Sequence, residues 1–154
     1  MILGIDPGVA NTGWGVLDDR SSVVGRRLVG YGVIETKKTD NSGKRLSLIA
    51  NGIREIISKY PIDVVAVETL FFAKNAKSAI KVAEAIGVIK LVVSEMGVEL
   101  KEVTPLQVKM ALVGYGRAEK SQVEFMVKKI LETDENIRPS HAADAVAVAV
   151  AVMS

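Results

Sequence analysis

Hydrophobic positions change their spacing along the chain. In the first third they form short runs broken by turn residues. Ile2–Ile5 is an apolar run closed by Asp6-Pro7-Gly8, while Thr12–Leu17 and Val23–Glu35 are rich in Val, Gly and aromatic residues. These runs predict three strands joined by short links, an antiparallel meander. Thr39–Gly43 is the most loop-like stretch. Beyond it the spacing becomes helical: Leu46, Ile49, Ile53, Ile56 and Ile57 predict a helix ended by Pro61. Val64–Val67 predicts a buried strand, Asn75–Met96 a long helix ended by Gly97, and Val98–Val103 another strand. Thr104-Pro105 opens a helix with Pro at its first position. Ser121 with Glu124 fits a capping box ahead of the apolar face Val123, Met126, Val127, Ile130 and Leu131. Pro139-Ser140 opens the last helix, His141 to about Val152. The order βββαβαβααα predicts one α/β domain over 1–154. Its sheet is mixed and five-stranded, three antiparallel strands then two parallel, with helices on both faces.

The Asn75–Met96 helix departs from a simple amphipathic pattern. Ile80, Ala83, Ile86 and Val93 mark one stripe, Val82, Ile89 and Met96 another, with Val88, Leu91 and Val92 between them. A helix covering one sheet face needs a single stripe. Two readings follow: a central core helix, or a helix whose second face packs against its own copy in a homodimer.

Composition narrows the chemistry. The 154 residues include no Cys and a single His, which excludes disulfide scaffolds, thiol nucleophiles, Fe–S clusters and Cys-containing zinc sites. The net charge is only +2, but seven basic groups against two acidic ones fall in residues 20–45, and four Lys against Glu84 in residues 71–90. Such runs fit a solvated surface, and clustered on a few segments they are also the electrostatic footprint of a nucleic-acid binder. No secretory signal follows Met1, and the longest charge-free apolar run, Ala145–Met153, is too short to span a bilayer. A cytoplasmic protein is expected.

Four residues carry the candidate chemistry. Asp6 ends the first strand, and Glu68 directly follows Val64–Val67. His141 and Asp144, three apart at the start of the last helix, share one face. If the two strands are adjacent and parallel, Asp6 and Glu68 end at the same sheet edge, where functional sites in open sheets lie. Three carboxylates brought together need a cation between them. Hard oxygen ligands select Mg²⁺ or Mn²⁺, and two such ions can clamp a phosphodiester for in-line hydrolysis. His141 could complete a metal shell or act on the attacking water. There is no P-loop, dinucleotide fingerprint or Gly-x-Ser-x-Gly elbow.

Five stretches then carry a resemblance: Gly4–Gly15 (Gly-Ile-Asp-Pro-Gly-Val-Ala-Asn-Thr-Gly-Trp-Gly), Val67–Asn75, Val103–Lys109, Glu119–Val123 and His141–Ala145. In this order and spacing the chain resembles the RuvC-type Holliday junction resolvases over essentially its whole length. The resemblance implies a ribonuclease-H-like fold, a homodimer and Mg²⁺-dependent, symmetric nicking of two like-polarity strands of a four-way DNA junction. It also implies a place in recombination and repair beside the RuvA–RuvB branch-migration machine. It maps the acidic catalytic and metal site onto Asp6, Glu68, His141 and Asp144, the family having Asp or His at the position of His141. Its basic and aromatic junction contacts map onto Phe71, Lys109 and Lys120, and Lys74, Tyr115 and Arg117 are further candidate DNA contacts. The alternatives are a ribonuclease-H-like nuclease acting on another nucleic acid, or a non-catalytic junction-binding module.

Overall fold

Period-two alternation in the strands sets the architecture. The computed structural model describes residues 1–20, 27–69 and 76–153. Strands β1 (Ile2–Asp6), β2 (Asn11–Asp18) and β3 (Arg27–Glu35) form an antiparallel meander, followed by helix α1 (Ser42–Lys59), β4 (Val64–Glu68), α2 (Ala76–Glu95) and β5 (Glu99–Val103). Helices α3 (Pro105–Val113), α4 (Lys120–Ile130) and α5 (Ser140–Ala151) complete the chain. The sheet order is β3-β2-β1-β4-β5, with β4 parallel to both β1 and β5. The expected mixed sheet is thus observed, covered on both faces.

Alternate residues of each strand feed two separate cores. Leu3, Ile5, Val16, Val65 and Val67 pack under α1 and α2. Ile2, Leu17 and Ala66 face α5, with α3 and α4 behind it. The same alternation carries Gly4 and Asp6 of β1, and Glu68 of β4, to the α5 side.

Helix α5 is buried almost throughout, from Ala142 to Val150 apart from Asp144. It can be, because small residues let it sit unusually close to the sheet. A β-carbon on Gly4 would overlap the backbone of Ala145 and Ala149, one on Gly15 would overlap Val146, and one on Gly13 would overlap the His141 carbonyl.

Some boundaries differ from the expectation. Asn41 caps α1, its side chain accepting from Lys44 N at 2.9 Å, so Ser42 and Gly43 are helical rather than loop. Helix α4 starts earlier than Ser121 suggests: Glu119 is its cap, and the Gln122 side chain accepts from Glu119 N at 2.8 Å. Helix α2 is not a central core helix. Ala85, Ile89, Val92 and Val93 are buried, whereas Ile80 and Leu91 are about three-fifths exposed, at 61% and 58%. Among the described residues no helix is long and apolar enough to cross a membrane.

Candidate active site

The parallel pairing of β1 with β4 decides where the carboxylates stand. Ile5 is in register with Val67, so Asp6 and Glu68 are the next residues on neighbouring strands, at the carboxyl ends of both. The turn beyond Asp6 is held firmly. Buried Thr12 donates to Gly8 O at 2.7 Å, Thr36 donates through its hydroxyl to Val9 O, and Arg45 Nε donates to Thr36 Oγ1 at 2.8 Å.

Helix α5 supplies the other two residues. His141 Nδ1 stands 2.8 Å from Asp6 Oδ2. Asp144 lies one turn inside the helix and is engaged by Lys120, whose Nζ is 2.7 Å from Oδ1 and 2.8 Å from Oδ2. Lys120 also donates to Ser140 Oγ at 3.0 Å. Asp6 is the most enclosed of these groups, its side chain only 16% exposed.

Two of the acids are perturbed by their surroundings. Burial pushes the Glu68 carboxyl up to about 7, and the charges of Asp6 and Asp144 add to the effect, against opposing fields from Lys120 and Lys109. Burial also raises Asp6, and the His141 hydrogen bond partly offsets the rise. Glu68 is therefore about half protonated near neutral pH. Among the described residues no three His, Asp or Glu side chains are gathered closely enough to hold an ion between them. Asp6 is paired with His141 and Asp144 with Lys120.

Of the expected DNA contacts, Lys109 and Lys120 join the acids. Together with Glu68 and Asp144 they line a groove of about 300 Å³ between α3, α4 and α5, with Val108 and Val123 in its apolar wall. Tyr115 and Arg117 are exposed on the α3–α4 link, next to the left-handed cap Gly114. Phe71 and Lys74 lie outside the described residues. The sequence reading missed Ser140 and the glycines under α5. Gly13 and Gly15, two apart in a strand, are a visible sign of close backbone approach on one face; Ser140 carries no such sign.

A mixed sheet of order β3-β2-β1-β4-β5 closed on one face by α5, with Asp6, Glu68, His141 and Asp144 at its carboxyl edge, has the ribonuclease-H-like fold of a class of nucleases. A family model described as Crossover junction endodeoxyribonuclease RuvC matches residues 2–152, and the chain belongs to that family. A crossover junction endodeoxyribonuclease RuvC from Moorella thermoacetica is 46% identical over 150 residues, covering 97% of this chain and 89% of that protein. The solved structure of Thermus thermophilus RuvC in complex with Holliday junction substrate is 36% identical, with a TM-score of 0.90 over 97% of this chain and 90% of that one. The Fowlpox virus resolvase bound to Holliday junction DNA shares the fold at 16% identity, with a TM-score of 0.64.

Proposed function

We propose that this protein resolves four-way DNA junctions by nicking two strands of like polarity at symmetric positions, leaving ends that can be religated. The observation that carries the reading is the side-by-side placement of Asp6 and Glu68 beneath His141 and Asp144. Family membership and the likeness to a junction-bound RuvC support the substrate. The reading takes residues 1–154 as one domain, since both cores share one sheet, and puts the enzyme in the cytoplasm with its DNA.

The donor set suits a hard divalent cation. Three carboxylates and one imidazole border one sheet edge, where burial, with the charges of Asp6 and Asp144 adding to it, raises Glu68 to about 7. Asp6, Glu68 and Asp144 would hold Mg²⁺, or Mn²⁺ in its place, as a pair of ions with His141 beside them. The chemistry supplied by cations bound there is polarisation of the scissile phosphodiester and of the attacking water. The chain's own groups do the rest. Asp6 orients the His141 ring through Nδ1, leaving Nε2 to hold the water or take its proton. Lys109 and Lys120 bring positive charge to the groove where the phosphate develops negative charge. Phe71 would stack on a base at the junction centre, and Lys74, Tyr115 and Arg117 would follow the arms.

Two nicks at symmetric positions require two sites. Ile80, Gly87 and Leu91 fall within about 40° of arc on α2, on the side left exposed. Gly87 has open space where a β-carbon would be, so nothing among the described residues demands a residue that weakens a helix by roughly 1 kcal/mol. A second copy of α2 packed there would account for both features, making a homodimer. The RuvA–RuvB machine is the expected partner on the DNA.

The test is cleavage of a synthetic mobile four-way junction beside matched linear duplex, in Mg²⁺, in Mn²⁺ and in chelator. Paired symmetric nicks in the junction alone, lost in chelator, are expected. Cleavage of both substrates would retain a nuclease but reject the junction selectivity.

A further inference from the structure

Lys120 occupies an odd position for a cation. It is the first residue of α4, the helix end where the backbone dipole disfavours positive charge. Its ammonium is nevertheless seated among three oxygens of α5, both carboxylate oxygens of Asp144 and the hydroxyl of Ser140, at 2.7–3.0 Å. Its charge also bears on Asp6 and Glu68, favouring their ionised forms. Both partners are about half exposed, at 48% for Lys120 and 39% for Asp144. An exposed pair of this kind is weak, so it holds the side chain without locking it.

We propose that Lys120, held on both carboxylate oxygens of Asp144, competes with a divalent cation for that carboxylate. Metal binding displaces its ammonium, which turns into the groove it shares with Lys109 and Glu68. The inference rests on the reading of Asp6, Glu68 and Asp144 as metal ligands. It makes the metal and Lys120 competitors for one carboxylate. Removal of the ammonium should therefore tighten metal binding while slowing cleavage, two effects of opposite sign. A lysine that only stabilised the fold would weaken both. One that only touched substrate would leave metal binding as it was.

The experiment is calorimetric titration of Mn²⁺ into DNA-free protein, comparing wild type with Lys120→Met, Lys120→Arg and Lys109→Met. Lys120→Met should bind Mn²⁺ about two- to fivefold more tightly, the size of an exposed ion pair. Lys120→Arg keeps the competing cation and should bind no tighter than wild type. Lys109→Met removes a nearby charge that no hydrogen bond ties to Asp144, and should change the affinity less. Unchanged or weaker binding by Lys120→Met overturns the proposal. So does an equal gain in Lys109→Met, which would reduce the effect to net charge. If wild type binds Mn²⁺ and Lys120→Met binds it no better, the metal-site reading survives and the competition does not. If neither binds, both fall.

Discussion

A β-carbon on Gly13 would overlap the carbonyl oxygen of His141, so β2 meets the first turn of α5 backbone to backbone. That contact sets how far His141 stands from Asp6. Gly13→Ala should push the start of α5 outward, lengthen the 2.8 Å His141–Asp6 contact and destabilise the fold by about 1–3 kcal/mol. Urea unfolding reads the stability, and junction cleavage at saturating metal, with a tenfold or greater loss expected, reads the site. Wild-type activity in a destabilised variant would separate this packing from the chemistry.

Asp6→Asn should abolish junction cleavage and leave junction binding within about twofold. One carboxylate among several matters to the site's chemistry, whereas phosphate contacts come from lysines. Gel-shift and cleavage assays on the same junction check both halves. Near-wild-type turnover would remove Asp6 from the reaction.

The raised Glu68 carboxyl gives the metal-free protein a pH-dependent stability of definite sign. Between 4.5 and about 7 the folded state holds a proton on Glu68 that the unfolded chain releases. Folding stability from this group is therefore fully present below pH 4.5 and falls as pH rises through 7. The loss is on the order of 3 kcal/mol, and the raised Asp6 acts in the same direction. In chelator, the urea midpoint for Glu68→Gln should change less than that of wild type between pH 5.5 and 8. Saturating Mg²⁺ should restore wild-type stability at pH 8, because a cation bound only by the folded state stabilises it.

Leu91→Glu should convert a dimer to monomer, since Leu91 is exposed on the α2 stripe with Ile80 and Gly87. Sedimentation over a range of concentrations checks this. The monomer should nick junctions singly rather than in pairs. A wild-type protein that stays monomeric at every concentration would remove α2 as the interface.

Much of the fold was legible because strands and helices impose different apolar spacings. The order of the ten elements among the described residues follows from that alternation. What the spacing could not supply was proximity. Asp6 and Glu68 each end a strand in the sequence, but only the parallel pairing of β1 with β4 makes them neighbours. The two faces of α2 were visible as too many apolar positions. Which of them is buried depends on the sheet and α1, and the stripe containing both Ile80 and Val93 proved to be split between exposed and buried sides.

Element order, the carboxylates at two strand ends, the Asp144 and His141 pair on one helix and the family to which these motifs point are all written in the primary chain. Those properties are local, since they depend on residues a few positions apart. Proximity came only with folding. His141 meets Asp6 across 135 positions and Lys120 meets Asp144 across 24, in an arrangement made possible by glycines that let α5 lie against the sheet. Burial of those groups together, rather than their identity, is what raises Glu68 to about 7. Desolvation and mutual repulsion exist only once the chain has brought the charges into one place.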